Sequence, residues 1–155
     1  MSEVRARPLC GCRVSELIET YRGVVYPWHC DHMGHMNVMW YTGKFDEATW
    51  GLFSLVGITP TYLRERERGM AAVQQNITYK REVEAGTVLV IRSAILEVRD
   101  KVMCFTHEMV DSETREVVAT SELTAVHFDR KVRKACPLPA DAVELARSLL
   151  GAAPP

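Results

Sequence analysis

The sequence has little net charge, no long apolar run and no cysteine framework. Its 155 residues carry 19 Lys and Arg against 20 Asp and Glu, so the basic excess typical of nucleic-acid-binding proteins is missing. No apolar segment approaches the roughly 20 residues that a membrane-spanning helix needs. The opening residues 1–12 are charged and lack the apolar stretch of a secretory signal. We therefore expect no nucleic-acid partner, no membrane partner and a cytoplasmic location.

The cysteine and histidine spacing gives weak support for a metal site. Five cysteines, an odd number with wide scatter, argue against a disulfide framework. Cys10 and Cys12 have no second pair to complete the four ligands of structural zinc. His29, His32 and His35 form a second candidate because imidazole is a common zinc ligand. The favoured interpretation is that these histidines belong to a turn, so we predict no metal.

The composition is 47% hydrophobic and 25% charged, as in an ordinary globular protein. The length fits one domain. Residues 1–14 are polar and interrupted by Pro8 and Gly11, which predicts a flexible N-terminal arm. The main domain is predicted over residues 15–135. A C-terminal helix and tail follow over residues 136–155, with the helix at about residues 140–150.

Hydrophobic periodicity predicts one strand, one long helix and then four more strands. The helix is predicted after Asn37, a plausible N-cap, and up to Gly57, a plausible C-terminal stop. A short charged helix is predicted over residues 61–69. The predicted strands cover residues 19–28, 70–80, 87–98, 102–110 and 116–128.

The long helix dominates the predicted architecture. Apolar residues occupy a three-and-four spacing from Val38 to Leu55, and Met39, Trp40 and Trp50 add apolar groups on other faces. A helix that is apolar nearly all round is predicted to be buried. We expect an α+β fold in which a curved antiparallel sheet of about five strands wraps a central helix, in the order β-α-β-β-β-β with short extra helices. Its sheet edges favour pairing in a homodimer or homotetramer.

The turn before the helix carries the most informative motif. It runs from Asp31 to Asn37 as Asp-His-Met-Gly-His-Met-Asn, and it resembles the Asp-x-x-Gly-His-x-Asn pattern of hot-dog fold thioesterases, closest to the 4-hydroxybenzoyl-CoA thioesterase-like branch. Tyr41-x-x-x-Phe45-Asp46-Glu47-Ala48, Ile77-x-Tyr79 and Glu84-x-Gly86 are also similar to that family. The resemblance covers about residues 21–130. It implies a hot-dog fold, an acyl-CoA substrate and no cofactor apart from the CoA of that substrate.

The resemblance also implies site residues. It makes Asp31 the catalytic carboxylate, as nucleophile or general base, and the Val38 amide the donor to the thioester oxygen. Elementary chemistry agrees, because a helix N-terminus offers unpaired N–H groups and a favourable dipole, and Gly34 permits close approach of a substrate. The alternative is that Asp31, Gly34 and Asn37 only form a turn and a cap.

Further substrate-binding candidates surround this motif. His35 matches the family's histidine and supports the loop or shares protons with Asp31. Met33 and Trp40 are candidates for an apolar acyl pocket. The run also resembles thioesterases of carnitine and betaine breakdown, although their Trp lies one residue nearer the aspartate. Aromatic rings suit a quaternary ammonium group. The candidates for the whole substrate site are Gly34, His35, Asn37, Met33, Trp40 and Tyr41, with Trp28 as a further aromatic.

Several polar residues have two interpretations each. Glu47 in the helix is predicted to pair with a basic strand residue such as Arg92, with lining of the pocket as the alternative. One predicted strand carries polar residues that either contact the acyl group or form an exposed sheet face. These residues are Gln74, Gln75, Asn76 and Thr78. Basic residues suit the CoA phosphates, and the candidates are Arg64, Arg66, Arg68, Lys80, Arg81, Arg130, Lys131, Arg133 and Lys134.

Two other functions fit the same resemblance. A hot-dog enoyl-CoA hydratase would use Asp31 and His35, although such enzymes space these residues about five apart and here they are four apart. A non-catalytic acyl-CoA-binding module would bind without turnover. Thiol release, hydration and binding without turnover distinguish the three.

Overall fold

The computed structural model describes residues 17–150, in which one antiparallel sheet packs against a long helix. The strands are β1 (Ile18–Val24), β2 (Arg68–Tyr79), β3 (Val88–Val98), β4 (Val102–Asp111), β5 (Val117–Asp129) and β6 (Lys134–Ala135). The helices are α1 (Val38–Leu55), α2 (Pro60–Glu65) and α3 (Ala140–Leu149), with a single 3₁₀ turn at Pro27–His29. The predicted α+β class and element order are confirmed.

Three details differ from the predicted elements. The charged helix predicted over residues 61–69 ends at Glu65, and β2 already begins at Arg68. The first strand stops at Val24 rather than at residue 28, because Pro27 begins the 3₁₀ turn. The two-residue β6 was not predicted. The arm predicted for residues 1–14 lies outside the described residues, as does the end of the tail after residue 150, and the domain boundaries remain predictions. No helix within residues 17–150 is both long and apolar enough to span a bilayer.

The sheet has the strand order β1-β3-β4-β5-β2, with β6 added to β5. Every neighbouring pair is antiparallel, as the short predicted connections between β3, β4 and β5 require. The two ends of this order are edges, and β2 is the longer edge with 12 residues. β2 therefore hydrogen-bonds to β5 on one side only within the described chain.

Helix α1 is fixed at its start and along one face. The side chain of Asn37 caps it by accepting a hydrogen bond from the Met39 N–H at 3.0 Å, as predicted. Phe45 and Leu52 are almost fully buried against the sheet. At Gly51 the helix lies so close to β1 that any Cβ would collide with the Thr20 carbonyl oxygen. Packing against the sheet therefore sets the position of the helix.

A buried chain of polar side chains joins α1 to the sheet. The Thr20 hydroxyl lies 2.6 Å from the Ser93 hydroxyl, and Ser93 Oγ lies 2.6 Å from Nδ1 of His107. Nε2 of His107 lies 2.9 Å from the Thr49 hydroxyl, which donates to the Phe45 carbonyl. Because the Thr49 hydroxyl donates to the Phe45 carbonyl, it accepts from Nε2–H of His107. Burial lowers the pKa of His107 to about 3, so the ring is neutral at neutral pH and its Nδ1 accepts from the Ser93 hydroxyl.

The prediction that α1 is buried on all sides is wrong for the single chain. Val38 is 56% exposed, Met39 62% and Trp50 39%, because one sheet covers only one side of a helix. The apolar residues on the other side remain accessible.

The predicted pairing of Glu47 with Arg92 is also wrong. Arg92 on β3 pairs with Glu108 on the adjacent strand β4. Glu47 is exposed and lies near the Tyr21 hydroxyl, so that burial first and then the Glu47 charge raise the pKa of Tyr21 to about 12. The Tyr21 hydroxyl accepts from the Lys44 ammonium at 3.0 Å. Glu47 lies on the outer side of α1, next to Tyr21 of β1, whereas Arg92 pairs with Glu108 on the neighbouring strand.

Candidate active site

The motif turn is a tight loop that leads into α1. Residues Cys30 and Met36 form an antiparallel bridge across its base. The Asp31 N–H donates to the His35 carbonyl at 3.2 Å, and the Gly34 N–H donates to the Asp31 carbonyl at 3.0 Å. Gly34 has a φ of +90°, which glycine adopts without strain. The loop therefore holds the Asp31 side chain in a fixed position at the start of the helix.

Both carboxylate oxygens of Asp31 accept hydrogen bonds. Oδ1 accepts from the Met33 N–H at 2.9 Å, and Oδ2 accepts from the Asn37 amide at 2.7 Å. These two bonds, that from Met33 first, lower the pKa of Asp31 below its usual value. At neutral pH the side chain is an oriented anion, which is the form that can take a proton or attack a carbonyl carbon.

Asn37 connects this anion to the helix. Its Nδ2 donates to Asp31, while its Oδ1 accepts from the Met39 N–H. The next residue, Val38, is the first of α1, and its N–H has no acceptor among the residues that the structure describes. A free N–H at the positive end of a helix suits a developing oxyanion. One side chain thus ties the carboxylate to the turn that carries the free donor.

An open cavity of about 340 Å³ adjoins the helix start. Val38, Tyr41 and Tyr79 form part of its wall, and His35 lies beside Glu82 with 3.4 Å between Nε2 and the carboxylate. Tyr41 is buried, and its hydroxyl donates to the Arg81 carbonyl at 3.0 Å. Burial raises the pKa of Tyr41 to about 12, so its phenol stays protonated. Val38 thus belongs both to the wall of this cavity and to the start of the helix.

Aromatic rings cluster next to the motif, outside the lining of this cavity. The Tyr26 and Trp28 rings stack with centroids 4.5 Å apart, and His29 packs against Trp40 at 4.4 Å. Trp28 and Met33 are each 66% exposed. We did not predict Tyr26 or His29 as part of this cluster, although the density of aromatic residues in Tyr26-Pro-Trp-His29 was a usable signal. We call Tyr26, Trp28, His29 and Trp40 the aromatic wall.

The three histidines of the candidate metal site have separate environments. His29 is buried, and its Nδ1 accepts from the Tyr26 N–H at 2.9 Å. Burial first, then the nearby Lys44 charge, lower the pKa of His29. His35 faces Glu82, whereas His32 is exposed. Across residues 17–150, no group of three or more His, Cys, Asp or Glu side chains is arranged to hold a metal ion.

The polar residues of β2 do not act as one set. Gln75 lines a cavity between β2 and α1, and its amide donates to the Ser121 hydroxyl at 3.2 Å. Gln74 instead lines a cavity with Arg99 and Glu122. Successive side chains of a strand point to opposite faces, so only alternate members of the run face the helix.

The basic candidates divide between the two ends of β2. Lys80 and Arg81 lie at the cavity beside Val38, and Arg81 pairs with Glu116 at 2.7 Å. Four others converge with Glu67 on a separate cavity at the other end, namely Arg64, Arg130, Lys131 and Arg133.

The fold and the sequence were compared with known proteins. The structure superposes on a Staphylococcus aureus protein solved in complex with CoA, with a TM-score of 0.81 and 16% identity, covering 90% of this chain and 87% of that one. A 1,4-dihydroxy-2-naphthoyl-CoA thioesterase from Synechocystis gives a TM-score of 0.77 at 18% identity, covering 86% and 98%. These similarities confirm the predicted hot-dog fold.

Sequence comparison gives the family. The chain is 27% identical over 111 residues to an L-carnitine dehydrogenase/betainyl-CoA thioesterase of Rhizobium meliloti (strain 1021). The match covers 72% of this chain but only 22% of the length of that relative. Residues 25–146 match the family model of the thioesterase-like superfamily, which is most of the chain. The chain therefore belongs to the thioesterase-like superfamily.

Proposed function

We propose that the chain hydrolyses an acyl-CoA thioester to a free acid and CoA, with Asp31 as the catalytic carboxylate. The observation that carries the proposal is the pairing of an oriented anion with the free Val38 N–H at the helix start, connected through Asn37. Membership of the thioesterase-like superfamily supports the reaction class. The Val38 N–H holds the carbonyl oxygen as it gains negative charge.

Two routes satisfy this geometry. As a general base, Asp31 takes a proton from a water whose oxygen bonds to the carbonyl carbon, the C–S bond breaks, and the proton passes to the departing thiolate. As a nucleophile, an Asp31 oxygen bonds to the carbonyl carbon, releases the CoA thiolate and leaves an anhydride that water cleaves. Both routes need ionised Asp31 and a donor at the oxyanion.

The decisive experiment replaces the carboxylate with an amide of the same shape. We expect Asp31→Asn to lower kcat by about 10³-fold or more, since base or nucleophile is lost, while the unfolding midpoint changes little. The measurement is thiol release from a panel of short, aromatic, long-chain and betainyl CoA esters. Asp100→Asn, in the exposed β3–β4 turn, is the matched control and keeps wild-type kcat.

Each contrary outcome points to a different function. An Asp31→Asn protein with near-wild-type kcat contradicts the catalytic assignment. Water addition to an enoyl-CoA without thiol release indicates a hydratase that uses Asp31 and His35. Tight binding of acyl-CoA without either reaction indicates a binding module.

For the acyl group, the aromatic wall favours a quaternary ammonium. The stacked Tyr26 and Trp28 rings and the adjacent Trp40 present π-faces, which attract a cation with no proton to donate. The nearby Asp31 carboxylate is negatively charged and also attracts the cation. The relative from Rhizobium meliloti is a betainyl-CoA thioesterase, which agrees with this choice.

A pair of isosteric substrates tests the acyl preference. Betainyl-CoA and 3,3-dimethylbutyryl-CoA have nearly the same shape, and only the first carries a positive charge. We expect kcat/KM to be about tenfold higher for the betainyl ester, the effect of about 1–2 kcal/mol of cation–π attraction. Trp28→Leu should remove most of that preference. Equal rates for the two esters contradict a quaternary ammonium substrate without affecting the assignment of Asp31.

A further inference from the structure

His29 is the buried member of the aromatic wall, and its ring contacts the other three. The ring centroid lies 4.4 Å from that of Trp40, 5.7 Å from that of Trp28 and 6.0 Å from that of Tyr26. His29 is only 8% exposed, whereas Trp28 is 66% exposed and Tyr26 46%. The two exposed rings of the wall therefore rest on a buried imidazole.

The backbone of His29 joins the aromatic wall to the motif turn. Its N–H donates to the Tyr26 carbonyl at 2.9 Å, and its carbonyl accepts from the Asn37 N–H at 2.9 Å. The Asn37 side chain in turn donates to the Asp31 carboxylate. Hydrogen bonds thus link His29 both to the aromatic wall and to the residue that orients Asp31.

One hydrogen bond fixes where the His29 ring carries its proton. Nδ1 lies 2.9 Å from the Tyr26 backbone nitrogen, whose N–H can only donate, so Nδ1 accepts and is unprotonated. The neutral ring therefore carries its proton on Nε2. A second proton has to enter at Nδ1, where it meets the Tyr26 N–H. Protonation therefore breaks this bond and places a positive charge among the rings of the aromatic wall.

The charged and titratable groups around His29 come from α1, β1 and its own turn. From α1, burial first and then the Lys44 charge lower the pKa of His29, whereas the Glu47 charge raises it. The Lys44 ammonium is itself buried and donates to the Tyr21 hydroxyl of β1. Tyr26, in ring contact with His29, belongs to the same turn. His29 is thus neutral at pH 7 and gains its charge only in acid.

We propose that His29 is a positioning residue whose charge sets the preference for a cationic acyl group. The neutral ring holds the aromatic wall in place for a quaternary ammonium, whereas the protonated ring disturbs the wall and repels the cation. An uncharged acyl group of the same shape meets no such repulsion. The proposal rests on the proposed function. It predicts that acid lowers the discrimination between the two esters, whatever acid does to turnover itself.

Nuclear magnetic resonance (NMR) tests the protonation state directly. In protein labelled with 15N, the imidazole signals of His29 are identified by their loss in His29→Asn. We expect the Nε2–H form at pH 7 and a titration on the acid side of the usual histidine pKa. An Nδ1–H form, or a ring that is already charged at pH 7, overturns the proposal.

The ratio of kcat/KM for betainyl-CoA to kcat/KM for 3,3-dimethylbutyryl-CoA measures the wall separately from catalysis. Both esters need the same ionised Asp31 and release the same CoA, so the titration of Asp31 cancels in the ratio. We expect the ratio to fall from about tenfold at pH 7 toward unity as the pH is lowered through the pKa that NMR gives for His29. A ratio that stays constant through that pKa overturns the proposal.

Two substitutions separate the acceptor of His29 from its charge. Asparagine places an oxygen near the position of Nδ1 but binds no proton, so His29→Asn should keep a preference for the betainyl ester that is independent of pH. Leucine has no acceptor for the Tyr26 N–H, so His29→Leu should lose most of that preference at every pH. His32→Asn, at an exposed position of the motif turn, is the matched control. A wild-type fall of the ratio in His29→Asn assigns the effect to another group and overturns the proposal.

Tetramethylammonium tests the aromatic wall without a reaction or a variant. It carries the same kind of cationic head as a betainyl group and has no thioester. We expect it to shift the indole N–H signal of Trp28 at pH 7 and to lose about threefold or more in affinity once His29 is protonated. Equal affinity on both sides of the His29 titration overturns the proposal, even where a variant fails to fold.

The outcomes separate this inference from the proposed function. A wild type that hydrolyses neither ester overturns the proposed function, whereas NMR and the tetramethylammonium titration still test His29. A wild type that hydrolyses both esters with a ratio that is constant in pH, or that falls equally in His29→Asn, overturns the role of His29 and leaves Asp31 in its role.

Discussion

The first turn of α1 and its middle are opposite environments on one helix. At the first turn Val38 and Met39 are more than half exposed, and the Val38 N–H has no acceptor among the described residues. In the middle, Phe45, Ala48 and Leu52 are buried against the sheet. The comparison shows that the candidate site occurs where packing stops, at backbone donors that the fold leaves unpaired. Packing in the middle keeps those donors in position.

The largest change in the free energy of unfolding is expected from Gly51→Val, in the packed middle of α1. Its Cβ would collide with the Thr20 carbonyl oxygen, which belongs to the backbone of β1 and cannot move aside. We expect the free energy of unfolding to fall by about 3 kcal/mol or more, measured by urea denaturation.

Gly43→Ala is the matched control for this substitution. A Cβ at Gly43 meets no atom closer than 3.9 Å, so the variant should gain up to about 1 kcal/mol from helix propensity. If both glycine variants changed the unfolding free energy alike, close packing of α1 on β1 would not be what fixes the helix.

The next largest effect concerns the buried His107 in the same region. Its pKa is about 3 in the fold and about 6.5 in an unfolded chain, so the unfolded state binds the extra proton between these values. Stability is full above about pH 6.5 and declines as the pH falls toward 3. Lowering the pH from 7 to 5 should therefore reduce the free energy of unfolding by about 2 kcal/mol through this single group.

Comparison of variants isolates the contribution of His107. His107→Gln removes the titrating group. Whatever the absolute stability of this variant, its unfolding free energy should fall by about 2 kcal/mol less than that of the wild type between pH 7 and pH 5. His32→Gln, at an exposed position, is the matched control. A wild-type pH dependence in His107→Gln would show that His107 is not held neutral by the fold.

The sequence was sufficient to predict the parts of the molecule that local rules govern. The periodicity from Val38 to Leu55 and the cap at Asn37 are properties of a few neighbouring residues, and both are confirmed. Contacts between distant segments were not predictable in this way. Nothing in the sequence pairs Arg92 with Glu108, or places Ser93 and Thr49 on either side of His107. These contacts depend on strand register.

The candidate site divides along the same line. The turn from Asp31 to Asn37 is one local unit, so its residues could be named from the motif, although their catalytic roles remain predictions. The aromatic wall combines Tyr26 and His29 with Trp40 from the helix, and the separate basic cavity combines Arg64 of α2 with Arg130 and its neighbours in the turn after β5. Their membership required the three-dimensional fold, because no sequence spacing relates those segments.

The smallest effect on stability, and the sharpest test of the comparison, is expected at Asn37. Its side chain has two separate roles, because Oδ1 caps α1 through the Met39 N–H while Nδ2 donates to Asp31. Serine retains a capping oxygen but has no amide to donate to the carboxylate. We expect the free energy of unfolding of Asn37→Ser to lie within about 0.5 kcal/mol of the wild-type value. Asn37→Ala should lose about 1 kcal/mol of that free energy, because it lacks the cap.

Activity should separate the same two roles. Both Asn37 variants lose the amide that orients Asp31 and lowers its pKa, so both should lose about tenfold or more in kcat/KM. The pKa of Asp31 rises toward its usual value in both, which moves the acid limb of the pH–rate profile upward. If Asn37→Ser kept wild-type kcat/KM and an unshifted acid limb, Asn37 would act only as a cap. The free helix start would then work without any link between its donors and the carboxylate.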